Sequence, residues 1–496
     1  MDFIRESILT FSEYDRQEFI RFLSRKRPSS SRKDVEVFKE LYGFYTSGKV
    51  KDQKRKGDQN YHAIRKRLSK EIEAYLMLKS GTSDEFGEES KLLMIQYFIR
   101  QNKYQIAWEL LEKAEKKAKK NATTFIKMLI QRLKLQILPY YSTNQFRDTQ
   151  QNLMLLQKQL LVEDQFQLYY IQVQNELKSQ LTKGEVKGIS SIMNNTLKQY
   201  ELLENVDLSP NLHLKIIEII RTECIIKRRY FSLLDSLEVY YKKVLHLFEH
   251  KTNFENEWAR LEYIMAHAFF NVRKFPQAMM HLNKVKDLIL NNEAIKSRLF
   301  VPFISIVSAI DVYSGNISAA IASHEKIIET KTNFFSEKEL LNLQLNLVAY
   351  YCTDERFGKA NRVLIYMNKS ASYYQKKMGR EWLLRKEMIR VIAQTEIGNI
   401  ESSIAILKSI KAQHKDMLEL SEYRLVVYFV DLLLGYLNDP YSMKENMLDE
   451  VFLELSLEKK RIFEDPKLLA FYSWLKSKIS KKKLYSVLLQ EYNSIN

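Results

Sequence analysis

Glycine and proline are scarce in this sequence: its 496 residues include 12 glycines and 7 prolines. Average proteins contain ~7% glycine and ~5% proline. Because the tight turns between β-strands depend on these residues, a chain with so few of them has little room for sheets. With 45% hydrophobic residues the chain has enough apolar surface for a large core. The composition therefore predicts an ordered, all-α protein.

Cysteine is almost absent as well. Cys224 and Cys352 are far apart in the sequence and lie in apolar surroundings. Two such residues exclude a disulfide framework and a paired-cysteine metal motif. They predict buried thiols in an intracellular, cytoplasmic protein. The N-terminal stretch MDFIRESILTF carries early charges and no small-residue cleavage site, so it is not typical of a signal peptide.

Long hydrophobic runs are missing too. The best one, VVYFVDLLLGYL at residues 426–437, is interrupted by Asp431. A membrane-spanning helix needs ~20 predominantly apolar residues. The sequence therefore predicts no membrane insertion.

A repeated pattern of helix, polar turn and second helix is what the chain contains instead. The clearest copy is YIMAHAFFNVRKFPQAMMHLNKV, at residues 263–285. In each copy an aromatic or apolar residue is followed by an anchor residue near the start of the second helix. The anchor is a small residue in the clearest copies. These anchor residues recur every 40 to 45 positions, at Ala107, Thr149, Ile189, Leu233, Ala278, Ala320, Ala360 and Ser403. A single helix pair leaves one apolar face exposed, and stacked pairs cover these faces for each other. The spacing therefore predicts a helical repeat array.

This pattern of small and aromatic residues resembles the tetratricopeptide repeat family. The resemblance covers about residues 88–421, in degenerate repeats of about 42 residues where the standard repeat has ~34. It implies a right-handed superhelical solenoid of antiparallel helix pairs, with a concave face that binds a protein or peptide. The expected function is that of a non-catalytic scaffold or adaptor without a cofactor. The sequence defines no oligomeric state.

Three regions follow from the pattern. Residues 1–82 form a predicted basic N-terminal helical bundle, with helices near 5–24, 32–47 and 61–79. This segment resembles the leading part of uncharacterised bacterial helical-repeat proteins, which brings no known activity with it. Residues 83–421 are the predicted solenoid of about eight helix pairs. Residues 422–496 are predicted C-terminal capping helices, with one helix from Pro466 to near Tyr492.

The first helices of such repeats line the inner groove, so their polar residues are the candidate binding residues. In the clearest copy, four of them fall at i, i+3, i+7 and i+11, on one helix face. Further along, two asparagines are suited to a peptide backbone and one arginine to a carboxylate. The predicted partner-binding residues are Arg260, Tyr263, His267, Asn271, Asn342, Asn346 and Arg385. The alternative interpretation is that these side chains only solvate an exposed surface.

Two stretches match parts of catalytic motifs. GFYTSGKV at residues 43–50 is similar to a phosphate-binding loop, but its first glycine lies within a predicted helix and Val50 replaces the metal-binding hydroxyl. HLFEH at residues 246–250 matches the pattern of inverted zinc peptidases, but it falls at a predicted helix end in a strand-poor chain. Neither has the structural context its chemistry requires, so no catalytic residue and no metal site is predicted.

Positive charge is concentrated near the N-terminus. The chain has a net charge of +17, and residues 21–70 contain 16 Lys or Arg against 5 Asp or Glu. Three clusters stand out, consisting of Arg25, Lys26, Arg27, Arg32 and Lys33, of Lys54, Arg55 and Lys56, and of Arg65, Lys66 and Arg67. Such clusters attract phosphate backbones, which gives an alternative function: a nucleic-acid-associated regulator with a partner-sensing solenoid. The competing interpretation is a solvated, lysine-rich surface.

The nucleic-acid alternative makes a measurable prediction. A labelled single-stranded DNA or RNA probe is expected to bind more weakly as salt rises, and the magnitude of the log–log slope is expected to fall by about 2 when Arg25, Lys26 and Arg27 become alanine. Fluorescence anisotropy between low and physiological salt measures this. Salt-tolerant peptide binding that is lost in His267→Ala or Asn271→Ala favours the scaffold function instead.

Overall fold

The computed structural model of the chain is built from helices. It describes residues 3–25, 33–47, 59–82, 87–121, 123–141, 145–183, 210–226, 254–331, 335–420, 423–439 and 466–493, and short helical stretches within 234–245. No strand occurs in these ranges. The prediction of an all-α fold is therefore confirmed.

The chain divides into two compact units, residues 1–160 and 161–496. The helices that begin in the first unit are α1 (Phe3–Leu9), α2 (Glu13–Ser24), α3 (Lys33–Ser47), α4 (Gln59–Thr82), α5 (Gly87–Arg100), α6 (Tyr104–Asn121), α7 (Thr124–Tyr141) and α8 (Phe146–Lys183). Consecutive helices from α5 to α7 pack on each other. The three-region division drawn from the sequence stays a prediction.

The first predicted helix is in fact two helices. The sequence predicts one helix over residues 5–24, whereas α1 ends at Leu9 and α2 begins at Glu13. The cause is Ser12, whose hydroxyl accepts a hydrogen bond from the Asp15 N–H at 3.1 Å while the Asp15 carboxylate accepts one from the Ser12 N–H at 3.1 Å. This reciprocal capping box satisfies two N–H groups at a helix start and so favours a new helix there.

The repeat pattern fails after Thr149. The repeat spacing places the anchor after Thr149 at Ile189, so one helix should end and another begin between these two residues. Instead α8 is continuous for 38 residues. Its sequence contains no glycine or proline between Phe146 and Lys183, so nothing in it terminates the helix. Ile189 and Leu233, the next two anchors, lie outside the described residues.

The second unit contains the regular part of the array. Its further helices are α9 (Pro210–Ile226), α10 (Glu255–Asn271), α11 (Phe275–Asn291), α12 (Glu293–Tyr313), α13 (Ile317–Lys331), α14 (Glu337–Thr353), α15 (Phe357–Tyr366), α16 (Ala371–Met378), α17 (Arg380–Glu396), α18 (Ile400–Gln413), α19 (Lys415–Leu418), α20 (Arg424–Asn438), α21 (Pro466–Ser480) and α22 (Leu484–Asn493). The pairs α10–α11, α12–α13, α14–α15 and α17–α18 pack consecutively, and the first helices of neighbouring pairs also contact each other. This packing is compatible with a helical repeat array.

Each of these four pairs is joined by the same turn. The middle residue of the turn has a positive φ, at Arg273, Gly315, Glu355 and Gly398. The next N–H bonds back five residues, as from Lys274 to the Phe269 carbonyl at 2.9 Å. This is the Schellman arrangement, which satisfies the last carbonyls of the first helix. The turn between α5 and α6, centred on Asn102, has the same bonds.

The anchor residues lie just beyond these turns and are completely buried. Ala107, Ala278, Ala320, Ala360 and Ser403 are all 0% exposed, and Thr149 is buried as well. A side chain this small lets the second helix approach the first one closely. The small anchors thus mark the closest packing within each described pair.

The C-terminal segment forms two helices where the sequence predicts one. A turn at Lys481, with φ of 53°, separates α21 from α22, and the Lys482 N–H bonds to the Ser477 carbonyl. Both helices belong to one hydrophobic core with α12 to α20, in which Trp474 is among the largest fully buried side chains. None of the helices in the described ranges is long and apolar enough to cross a membrane.

A larger side chain at one anchor tests whether the helix pairs depend on small residues at these positions. Ala320→Leu is expected to lower the free energy of unfolding by about 1–3 kcal/mol, because extra methylenes at a fully packed position force the helices apart. The matched control is Ala319→Leu, one residue earlier on α13, where the side chain is exposed. The control is expected to change stability by less than about 0.5 kcal/mol. Equal loss of thermal or urea stability in both variants would contradict the account.

Candidate functional site

A cavity of about 480 Å³ lies in the second unit, between the first helices of the repeat pairs and the two C-terminal helices. Ligand pockets commonly have volumes of about 300–1,000 Å³. Its wall is formed by Arg221 on α9, by Tyr263, His267, Phe270 and Asn271 on α10, by Pro302, Ser305, Ile306, Ala309, Val312 and Tyr313 on α12, by Asn346, Ala349, Tyr350, Cys352 and Thr353 on α14, by Arg385, Ile389 and Ile392 on α17, and by Ala470, Phe471, Trp474, Leu484 and Leu488 on α21 and α22.

Most of the binding residues chosen from the sequence meet in this cavity. Five of them line it, namely Tyr263, His267, Asn271, Asn346 and Arg385. Three come from α10, where a spacing of i, i+4 and i+8 keeps side chains on one face of a helix. The other two come from α14 and α17, which pack next to each other. Residues that are far apart in the sequence are thus brought to one surface.

Two of the predicted residues are not part of the cavity wall. The Arg260 guanidinium donates a hydrogen bond to the carboxylate of Glu218, which also accepts one from Tyr170 at 2.6 Å. The Asn342 carbonyl accepts a hydrogen bond from the indole N–H of Trp382 at 2.9 Å. Both side chains therefore serve contacts between helices.

Hydrogen bonds fix the polar side chains of the cavity. Arg385 donates to the side-chain oxygen of Asn346 at 3.2 Å, and the Asn346 amide lies 3.4 Å from the Ser305 hydroxyl. On α10, the Asn271 amide donates to the His267 carbonyl at 2.8 Å and lies 3.0 Å from the His267 ring. Because these groups hold each other, the wall presents a preorganised polar surface.

Arg221 is a cavity residue that the sequence analysis did not select. Its guanidinium lies over the ring of Tyr263, 5.8 Å from the centroid, and its Nε is buried with no hydrogen-bond partner. No carboxylate pairs with it among the described residues. The sequence contains one signal: Arg221 lies 12 residues before the anchor Leu233, at a first-helix position where two of the clearest copies have the small residues Ala266 and Ser308.

The cavity has a positive electrostatic character. Its described wall contains Arg221 and Arg385, and no Asp or Glu. The nearby Asp311 on α12 is not part of the wall, and burial raises the pKa of its carboxyl. An anionic group at hydrogen-bond distance strongly stabilises a guanidinium in a partly buried site.

Aromatic and apolar groups form the rest of the wall. Burial raises the pKa of Tyr350 and of the Cys352 thiol, so both remain protonated at neutral pH. A protonated thiol is a poor nucleophile. Cys352 therefore acts as a small apolar side chain in this wall. Tyr263, whose pKa burial also raises while Arg221 opposes the shift, keeps its hydroxyl proton too.

The C-terminal helices close one side of the cavity through specific contacts. The Tyr492 ring stacks on Phe275, with centroids 5.4 Å apart and planes 4° from parallel. At the other end the Trp474 indole donates to Glu396 at 2.7 Å. Between them the Tyr485 hydroxyl donates to the Val312 carbonyl at 2.7 Å. These contacts reach from the second helix of the first regular pair, α11, to the first helix of the last, α17.

A second cavity, of about 640 Å³, lies between α15, α16, α17 and α18. Lys386, Glu387 and Arg390 of α17 lie in its wall. Here the Glu387 carboxylate accepts hydrogen bonds from Lys386 at 2.8 Å and from Arg390 at 3.2 Å. This cavity could not be predicted from the sequence, because the regular spacing of the repeats does not reveal the extra helix α16, which forms part of the wall.

A buried charge cluster near α10 has a structural role. Glu262 is completely buried, and its carboxylate accepts hydrogen bonds from Tyr241 at 2.7 Å and from Lys284 at 3.1 Å and contacts the His281 ring. Each oxygen of the carboxylate therefore has partners within the protein. In the described ranges, no group of three His, Cys, Asp or Glu side chains is arranged to hold a metal ion.

The basic clusters are described only in part. Arg25 lies over the Phe22 ring at 3.4 Å, and Arg67 lies 3.6 Å from the carboxylate of Asp34. Lys33 and Lys66 are exposed, and Arg65 lies close to Tyr61. Lys26, Arg27, Arg32, Lys54, Arg55 and Lys56 lie outside the described residues. Binding of nucleic acid by this segment therefore stays a prediction.

The two motif-like stretches have different outcomes. Gly43 lies inside α3, as the helical spacing predicts, so it does not belong to a loop between a strand and a helix, as a phosphate-binding loop requires. The HLFEH stretch lies outside the described residues, so its interpretation as a helix end stays a prediction.

Comparison with known proteins identifies no relative. No model of a known protein family matches the chain, and no curated protein matches it. The tetratricopeptide-like character of the repeats therefore stays an expectation drawn from the residues.

Proposed function

We propose that this chain is a non-catalytic, cytoplasmic scaffold or adaptor, which binds a protein partner through a peptide segment that enters the 480 Å³ cavity. The proposal includes the finer architecture that the resemblance implies, a right-handed tetratricopeptide-like superhelix. The single observation that carries it is the cavity itself. Five side chains chosen from the sequence as peptide-binding residues line one preorganised, positively charged pocket.

The side chains of the wall suit a peptide. Asn271, Asn346 and Ser305 offer donors and acceptors of the kind that pair with a peptide backbone. The aromatic rings of Phe270 and Tyr313, with Trp474 opposite them, accept apolar side chains. A few convergent polar groups in a largely apolar pocket are the usual composition of a binding site.

The charges specify an acidic segment. Arg221 has no carboxylate partner among the described residues, and Arg385 adds a second guanidinium to the wall. A carboxylate from the partner would form charge-assisted hydrogen bonds that are about twice as strong as neutral ones. We propose no reaction in the cavity, because its thiol is held protonated and its histidine is already hydrogen-bonded to Asn271.

Single substitutions in the cavity test the function. The partner is captured from native cells after nuclease treatment, and its affinity is measured by calorimetry. Arg221→Gln is expected to weaken binding by about 10- to 100-fold, since it removes a charge-assisted hydrogen bond worth about 1.5–3 kcal/mol. Asn346→Ala is expected to weaken binding by about 3- to 10-fold, as a neutral hydrogen bond is lost.

Each change has a matched control outside the cavity wall. Arg298→Gln changes an exposed arginine on α12, and Asn342→Ala changes the asparagine one turn before Asn346 on α14. Both controls are expected to keep the affinity within about 2-fold of the wild type. Equal affinities in all four variants would contradict a role of the cavity, and a partner lost on nuclease treatment would favour the nucleic-acid alternative.

A further inference from the structure

The second cavity lies where one repeat departs from the others. The helices α11 and α12 are separated by Asn292 alone. Between α15 and α17 the chain instead forms the extra helix α16, and α15 has only 10 residues against 17 in α11. The cavity of about 640 Å³ is lined by α15, α16, α17 and α18, and it is independent of the one proposed for the partner.

Cations are in excess in this cavity. Its described wall contains Lys369, Lys386 and Arg390, and Glu387 as the only carboxylate. Lys386 is 5% exposed, and its ammonium lies between Glu387 and the Tyr374 ring, 5.0 Å from the centroid. A buried lysine is costly to desolvate unless anionic groups surround it. One carboxylate shared between Lys386 and Arg390 leaves room for a second anion.

A buried histidine in the same wall has an unused nitrogen. His414, at the end of α18, is 3% exposed, and its Nδ1 is buried without a hydrogen-bond partner. A buried polar atom of this kind costs about 10-fold or more in the folding equilibrium, and such atoms are rare in folded proteins. Burial and the Arg380 charge lower the pKa of His414, so the ring is neutral at pH 7. His414 therefore adds no charge to the wall.

The rest of the wall combines amides with an apolar floor. The Gln394 amide donates to the side-chain oxygen of Asn361 at 2.8 Å, which joins α17 to α15 across the cavity. Tyr374 and Ile410 provide apolar surface below. The cavity wall therefore combines cations with neutral hydrogen-bonding groups.

We propose that this cavity binds a small polar metabolite that carries an anionic oxygen group, a phosphate or a carboxylate, between Lys386 and Arg390. Arg390 and Lys386 bind the anionic group, and the amides of Asn361 and Gln394, which are partly exposed in the wall, form hydrogen bonds with the body of the ligand. The site lies on helices of the last repeat pairs, so it is distinct from the wall that contains Arg221.

A panel of anions tests the site. The full-length protein is heated with inorganic phosphate, citrate, glucose 6-phosphate and adenosine monophosphate, each at the same ionic strength as a sodium chloride reference. At least one of them is expected to raise the melting midpoint, since a ligand that binds only the folded state stabilises it. Phosphate and citrate distinguish a site for phosphate from a site for carboxylate. The two organic phosphates test whether the ligand also carries a polar organic group.

Three variants decide whether the effect comes from the cavity. Arg390→Gln is expected to weaken the best ligand by roughly 10- to 100-fold in calorimetry, as expected for a lost charge-assisted hydrogen bond. Ala405→Trp, at an exposed position in the cavity wall, is expected to block the ligand without changing a charge. Arg362→Gln, an exposed arginine of α15 outside the wall, is the control and is expected to bind as the wild type does.

Two results would overturn the proposal. One is that no anion in the panel stabilises the protein beyond the sodium chloride reference. The other is that Arg390→Gln and Ala405→Trp bind the ligand as tightly as Arg362→Gln, which would place the anion on the general basic surface. Circular dichroism of each variant shows whether it is folded, so a loss of binding is not mistaken for unfolding.

Discussion

The close contact between the two helices of each pair is the constraint on which the rest of the second unit depends. Ala278, Ala320, Ala360 and Ser403 have no exposed surface, and each lies just beyond a turn that contains one left-handed residue. Once the turn and the small side chain fix a pair, its first helix can pack against that of the next pair. The polar residues on those first helices are then brought together, which creates the cavity around His267 and Arg385.

The C-terminal helices turn this packed face into an enclosed site. Without α21 and α22, the first helices present an open surface. With them, Trp474 and Leu488 form an opposite wall, held in place by the stacking of Tyr492 on Phe275 and by the bond from Trp474 to Glu396. An extended peptide that ran along all the first helices would meet these two helices. The occupant that we propose is therefore a short acidic segment and not a long peptide.

Much of this architecture could be predicted from the sequence, because periodicity and small residues are local signals. The helical class and the six anchors that lie in the described residues followed from them, and the resemblance to a repeat family directed attention to five residues that line one cavity. Other features depend on tertiary contacts and had no local signal. Arg273 and Glu355 adopt the left-handed conformation that usually favours glycine. Arg221 was visible only as a misfit in the repeat, and the cavity beside Lys386 depends on the extra helix α16, which the spacing did not reveal.

Site-specific photocrosslinking in native cells tests the central claim most directly. A benzophenone amino acid replaces Phe471, an aromatic residue of the cavity wall, and in a parallel strain it replaces Ala319, exposed on α13. The proposal predicts that the Phe471 position crosslinks to one protein, at a short segment rich in Asp or Glu, and that the Ala319 position does not crosslink to that protein. Crosslinks from both positions to the same segment, or to nucleic acid in place of protein, would contradict a peptide site in the cavity.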